Sequence, residues 1–458
     1  MKPFRIEIPQ ADLDDLAGRL AATRWIEHDV VIDGLDTVVD EACYRAMDWL
    51  IEVAPELSRT VYDNVADLLN LEVDLLFFDT TSTYFELDEP DQPVDRDEHG
   101  ALTNNNGNID SQDTVKAAGF RTYGKSKDSR PDLPQVVIGM AVTRNGIPVR
   151  CWCWPGNTSD SALIRQVKDD MRDWSLGRVV WVADRGFTSA ENRRYLQRAG
   201  GHYILGEKLR GDSDEAKAAL ARQGRYKTVA GNLQVKEVNL TKDDLADDRF
   251  VICFNPEAAQ RDATIRQRML TQLDEAIAGS DKLSKDKRAE LRGVISTKPG
   301  LKRYLRITPG GLLRIDKAAI ERETNLDGKF LLRCSDPKLS SEDIALGYKQ
   351  LLEVERGWRD MKQIIDLRPV YHRREERIRA HVLLCWLALL LIRIAETTIG
   401  QTWSTMRDEL QRLHLGTFTG PAGTFRQRTE ITPAQRKILA ALTLDEPRRV
   451  HEATPAPR

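Results

Sequence analysis

Cysteine is scarce in this chain. Six of 458 residues are cysteines, and only Cys151 and Cys153 stand close together. At i and i+2 in an expected strand they read as ordinary small residues in a reducing compartment. No second Cys or His pair has ligand spacing, so a zinc site is not indicated. Long apolar runs are missing too. The longest, residues 382–392, falls far short of the roughly 20 residues that cross a bilayer. The start, Met1-Lys2-Pro3-Phe4-Arg5, lacks the apolar stretch of a signal peptide. These absences point to a cytoplasmic protein without a membrane partner. Net charge is small, −3 with 30% charged residues, which argues against uniform coating of nucleic acid. Positive charge is local instead. Residues 349–379 hold nine Lys or Arg against six Asp or Glu, and residues 185–210 hold six against two.

The patterning of the rest predicts an order of elements. Residues 40–53 and 58–69 read as helices. A short buried strand over 73–78 is expected to end on Asp79, and a polar, Asn/Gly-rich stretch to about Pro134 reads as irregular. Residues 135–143 and 148–154 read as strands joined by the hairpin signal Asn145-Gly146. A helix over 161–174, a strand over 178–183 that ends on Asp184, a helix over 189–199 and a strand over 202–205 follow. Residues 207–327 change character and read as an insertion. A long helix is expected from Ser341, an apolar one over 375–396, and in the tail one helix over 433–442. Strand, strand, strand, helix, strand, helix, strand, insertion, helix is the order of a ribonuclease H-like α/β core, a mixed sheet whose second strand is antiparallel to its neighbours. The expected division is a helical region over 1–70, the core over 71–206 and 328–400, the insertion over 207–327 and a tail over 401–458.

A carboxylate directly after a run of apolar strand residues is costly to bury unless it is paired or binds a metal. Asp79 and Asp184 both occupy such positions, on the two strands whose ends the fold would bring to one site. The third carboxylate is expected from a helix carrying Tyr348, Glu355 and Lys362. Their spacing by sevens places them on one helical face, drifting only about 20° per step. Three converging carboxylates suit two magnesium ions, which take hard oxygen ligands and can drive in-line displacement at phosphorus.

These residues resemble the DDE transposases of bacterial insertion sequences, in the group with a tyrosine–arginine–glutamate–lysine signature. Phe77-Phe78-Asp79-Thr80-Thr81-Ser82 stands as the first motif. Asp184-Arg185-Gly186-Phe187 fits the second, and Tyr348, Glu355 and Lys362 fit the third, with Leu351 where the group's arginine would be. The resemblance covers roughly residues 37–400. It implies Asp79, Asp184 and Glu355 as catalytic metal ligands for two Mg2+ ions, with Mn2+ able to substitute. It implies Tyr348 and Lys362 at phosphates near the cleaved transposon end. Local positive charge adds Arg185, Arg373 and Arg374 as expected DNA contacts. The partners implied are double-stranded DNA, as terminal inverted repeats and as target, and a second copy of the chain in a homodimer. The alternatives are a degenerate or domesticated nuclease-like relative and a DNA-binding remnant of the same fold.

Two further segments call for a reading. Gly119-x4-Gly124-Lys125-Ser126 satisfies the P-loop pattern, but a phosphate cradle needs a buried strand before it and a helix after it. Neither is expected here, so it reads as a basic loop. Residues Pro3-Phe4-Arg5-Ile6-Glu7-Ile8-Pro9 through Thr23-Arg24-Trp25 resemble the start of the epoxide hydrolase N-terminal segment. No nucleophile elbow follows, and the expectation is a transposase whose own N-terminus is truncated or replaced.

Overall fold

The computed structural model describes residues 24–26, 28–32, 35, 38–69, 74–87, 89–96, 115–117, 119–172, 174, 179–210, 213–240, 248–368 and 370–455. Almost all of the N-terminal segment that resembles an epoxide hydrolase lies outside them. In chain order the elements begin with helix α1 (Asp40–Leu69), strand β1 (Asp74–Tyr84), the short pair β2 (Val94–Arg96) and β3 (Val115–Ala117), β4 (Gln135–Val142) and β5 (Pro148–Pro155). Then come α2 (Asp160–Asp169), β6 (Val179–Ala183), α3 (Ala190–Gln197), β7 (His202–Glu207), α4 (Asp214–Ala221), β8 (Lys227–Ala230), β9 (Leu233–Asn239) and β10 (Arg249–Phe254). Next are α5 (Pro256–Ile277), α6 (Lys285–Ser296), α7 (Pro299–Lys302), β11 (Leu305–Ile307), β12 (Leu313–Ile315), α8 (Lys317–Thr324) and β13 (Lys329–Cys334). The chain finishes with α9 (Ser341–Lys349), α10 (Leu352–Gln363), α11 (Glu375–Ile399), α12 (Trp403–Leu410), β14 (Leu415–Gly420), β15 (Gly423–Arg428), α13 (Pro433–Ala441) and β16 (Val450–Pro455).

The chain divides into two compact units, one of Met1–Leu71, Phe77–Ser159 and Leu352–Arg458, the other of Glu72–Leu76 and Asp160–Leu351. Strand β1 contributes to both. The strand order is β5-β4-β1-β6-β7-β13-β10-β9-β8. Its first five members are those of a ribonuclease H-like core, with β4 antiparallel to both β1 and β5.

In the first unit, all eight residues of β4 are buried, and Gly146 at φ +74° closes the turn to β5. β1 does not end on Asp79. Its ladder runs on from Asp79 opposite Met140 to Tyr84 opposite Gln135. Thr80, Thr81, Ser82 and Thr83 are buried, and threonine's branched Cβ suits a pleated strand despite its hydroxyl. Residues 40–69 form one helix rather than two, with Pro55 inside it. Packing on α11 outweighs the lost hydrogen bond. Arg377 donates to the Tyr44 carbonyl at 2.7 Å and pairs with Asp48 at 2.6 Å. α11 is long and apolar enough to cross a membrane, yet half of its apolar window is buried in protein, as in any core helix. Trp386 is fully buried there, and its indole N–H donates to the Pro148 carbonyl at 3.1 Å. The tail holds more than the one expected helix. α12 precedes α13, and β14, β15 and β16 form an antiparallel sheet.

In the second unit β6 and β7 run parallel, and β13, β10, β9 and β8 continue antiparallel from β7. Residues 207–327 therefore supply three strands of the sheet as well as the helices α5 to α8. Leu273, Ile295, Leu301, Tyr304 and Ala319 form a separate small core under those helices. α9 begins with a capping box, in which Ser340 accepts from the Asp343 N–H and Asp343 accepts from the Ser340 N–H. It stops at Lys349, where the last bonds shorten to i+3 and Gln350 turns to ψ −6°. The single helix expected from Ser341 through Lys362 is thus two, and Tyr348 does not share a helix with Glu355 and Lys362. A ψ near zero takes the chain off the helical path, which no glycine or proline at 350–351 announces.

The first unit also buries a charge. Arg393, 2% exposed on α11, donates to Asp360 Oδ2 at 2.6 Å and Glu396 Oε2 at 2.5 Å, and Arg356 joins Glu396 at 2.9 Å. Removing the cation leaves Asp360 without its closest partner and Glu396 with Arg356 alone. Arg393→Met is expected to cost about 3–5 kcal/mol. A urea titration that shows less than about 1 kcal/mol would mean that water reaches these carboxylates.

Candidate active site

Asp79 is half-buried in the middle of β1. Side chains alternate across a strand, and residues paired directly across an antiparallel ladder share a face. Asp79 therefore lies on the face of Thr81 and Met140. The same face receives α10. A Cβ added at Gly357 would stand 2.6 Å from the Met140 methyl, and Lys362 donates to Thr81 Oγ1 at 2.8 Å. So α10 crosses the Asp79 side of the sheet, and only a glycine permits so close a crossing at that point. Glu355 stands on that helix, exposed, and makes no hydrogen bond or ion pair among the described residues.

Asp184 follows β6 directly, with φ −74° and ψ 171°, and opens the short turn Arg185–Phe187 without capping it. The Tyr348 hydroxyl donates to its Oδ1 at 2.9 Å. Oδ2 takes no hydrogen bond among the described residues. Tyr348 reaches Asp184 over Gly206, where a Cβ would stand 2.4 Å from the hydroxyl, and its ring stacks on Phe330 with centroids 6.0 Å apart. A hydroxyl has one proton, so a tyrosine that gives it to a carboxylate cannot also give it to a phosphate. A cavity of about 550 Å3 opens beside these residues, with Arg185, Lys208 and Lys329 among its lining.

Lys362 is largely enclosed. Besides Thr81, it donates to Asp128 Oδ1 at 2.8 Å, and Arg368 stands 3.3 Å from Asp128 Oδ2. Burial pulls the Lys362 ammonium below its ordinary pKa, against the bond to Asp128, which holds it up. Arg185 is exposed on the turn after Asp184, and Arg373 and Arg374 are exposed ahead of α11. Gly119–Ser126 and the residues after it up to Pro134 form a loop with no helix. Lys127 from that loop donates to the Thr80 carbonyl at 2.8 Å.

The structure thus brings Asp184 together with Tyr348, and Lys362 together with Asp128 and Thr81. Among the described residues no three Asp, Glu, His or Cys side chains are gathered into a cluster able to hold an ion. Carboxylates repel one another until a cation screens them. The donor chemistry fits a hard divalent ion, since Asp184 is oriented through one oxygen and keeps the other open. Sequence patterning missed Gly206, Thr81 and Asp128. Gly206 stands inside a buried strand and could have been flagged as a close approach. Asp128, in a polar loop, carries no signal.

A model of the transposase DDE domain family matches residues 104–391, a span that includes Asp184, Tyr348, Glu355 and Lys362 and begins after Asp79. No curated protein matches the chain. Among solved structures, similarity extends to a cryo-EM structure of a piggyBac transposase synaptic complex with hairpin DNA, at 10% identity and a TM-score of 0.34 over 95% of this chain and 71% of that one. The family match spans more than half of the 458 residues, and the chain belongs to the transposase DDE domain family.

Proposed function

We propose that this transposase hydrolyses a phosphodiester at each transposon end and joins the freed 3′-hydroxyl to target DNA, with Asp79, Asp184 and Glu355 as metal ligands. The observation that carries the proposal is the Asp184 carboxylate, fixed at the end of β6 by Tyr348 through one oxygen with the other open. The placement of Asp79 and α10 on one sheet face supports it. Divalent ions, Mg2+ with Mn2+ as substitute, would supply activation of water and stabilisation of the leaving oxygen. The chain's own residues have distinct tasks. Tyr348 holds the angle of Asp184. Lys362 offers a cation to a phosphate oxygen, and Arg185, Arg373 and Arg374 grip the DNA backbone, where contacts position without reading sequence. The partner is double-stranded DNA carrying the element's inverted ends. Two ends must be joined together, which calls for a homodimer. The setting would be the cytoplasm of a cell that carries an insertion sequence.

The exposure of Glu355 favours one second reading, a scaffold that binds DNA without cutting it. Two variants on α10 separate the readings. Glu355→Ala removes a ligand but no positive charge, so strand cleavage in magnesium should vanish while binding of end DNA persists. Lys362→Ala should weaken binding and lower the salt slope by about 0.9, the share of one phosphate. Gel shift and cleavage across a salt series read both. Normal cleavage by Glu355→Ala would end the assignment of Glu355 as a ligand.

A second pair of variants probes Asp184. Tyr348→Phe removes the hydroxyl, and Gly206→Ala pushes it aside with a methyl group. Both should lower cleavage by about 10–100-fold with DNA affinity unchanged. If both variants instead lose DNA affinity, Tyr348 is a phosphate contact and not a positioning residue.

A further inference from the structure

We propose that Lys362, Arg368 and Thr81 form a seat for one phosphodiester group, and that Asp128 fills this seat until DNA displaces it. The proposal rests on the reading of Lys362 as a phosphate contact.

The Asp128 carboxylate bridges two cations, with Oδ1 on Lys362 Nζ at 2.8 Å and Oδ2 facing Arg368 Nη1 at 3.3 Å. The Thr81 hydroxyl accepts from the same Lys362 ammonium at 2.8 Å. A phosphodiester presents the same pair of anionic oxygens and matches the same donors. The carboxylate is a poor tenant. Its Oδ2 is buried and faces Arg368 without a hydrogen bond, so that arm is weaker than the bonded one to Lys362. The residue after it, Ser129, sits at φ +59°, a left-handed conformation unfavourable for a side chain with a Cβ. The loop is held down around that point by the Lys127 N–H on Ser82 Oγ at 2.9 Å and the Arg130 N–H on Ser126 Oγ at 3.0 Å.

There is also a way in. A cavity of about 570 Å3 is lined by Lys362 and Arg368 together with Arg373, Tyr84 and Tyr371. The ring of Tyr84 carries the Arg368 guanidinium at 5.2 Å, which keeps that cation beside the seat rather than in solvent. Two cations against one carboxylate leave a net positive charge that attracts a backbone phosphate even before Asp128 moves. The segment that mimics a P-loop in sequence thus leads, two residues past Ser126, to the anion that a phosphate must replace.

The test is duplex binding by the full-length protein over a salt series, using DNA with the element's own end. Asp128→Asn keeps the shape and removes the charge. It should bind about tenfold tighter at low salt, with a salt slope steeper by about 0.9. Asp132→Asn removes a like charge from an exposed ion pair in the same loop and controls for net charge; it should change little. In Asp128→Asn/Lys362→Ala the gain should disappear. If Asp128→Asn melts before assay, Asp128→Ser carries the same expectation. Weaker binding by the Asp128 variants would make Asp128 a plain structural bridge and overturn the proposal. A gain equal to that of Asp132→Asn would overturn it as well. Tighter binding of inorganic phosphate without any gain for duplex would assign the seat to a free anion instead. Lys362→Ala binding as wild type would remove the underlying reading, whereas loss there without gain at Asp128 removes this proposal alone.

Discussion

A missing side chain at position 206 governs the second unit. Any Cβ there would occupy the space of the Tyr348 hydroxyl, so α9 could not bring its tyrosine down to Asp184. The stack of Tyr348 on Phe330 and the hydrogen bond to Oδ1 both presuppose that approach. So does the end of α9. A helix that ran on straight past Lys349 would keep Tyr348 and Glu355 in one row, and the turn at Gln350 releases the chain from that geometry. Tyr348 and Glu355 therefore stand on different helices.

Charge withdrawn from water shapes the rest. Arg393 with Asp360 and Glu396 ties α11 to α10 in the first unit. In the second, Arg333 is 3% exposed in β13 and pairs with Asp248 at 2.6 Å and with Glu215, while Tyr203 donates to Asp248 at 2.8 Å. Burial pushes the Glu207 carboxyl above its ordinary pKa, although Arg333 and Arg193 pull it back. In these clusters each charge faces an opposite one. The Asp128 bridge is smaller, one carboxylate between Lys362 and Arg368, with its Oδ2 buried and not hydrogen-bonded. A single bridged carboxylate is easier to take apart than a cluster with more partners.

Periodicity made much of the core legible. The two apolar runs of 135–154 with Asn145-Gly146 between them made both strands and their turn legible nearly to the residue. The place of Asp184 at a strand end was legible because residues 178–183 read as a buried strand. Where hydroxyl-bearing residues stand in for apolar ones, pattern fails. Thr80 to Thr83 reads as polar loop yet is buried in the ladder. The break at Gln350 was invisible because tertiary packing, not local propensity, ends the helix there. The sheet of β14 to β16 is mostly exposed and so carries no apolar alternation to read, though Phe418 and Phe425 stack across it at 5.1 Å. Ion-pair partners such as Asp128 are set by long-range contact, about which a single sequence is silent.

The register of β1 on β4 has a genetic corollary. Asp79 shares the α10 face only because it stands two positions from Thr81, while Phe78, one step away, turns to the opposite side and meets Trp152 edge-on at 5.8 Å. Loss of the single Thr80 codon would keep the reading frame and could keep the strand. It would also carry the carboxylate through the sheet to the tryptophan side. Such an allele would yield a folded protein with Asp79, Asp184 and Glu355 all present and Asp79 on the opposite face. Copies of the gene that carry in-frame lesions of this kind would look intact to a search that reads only those three acids.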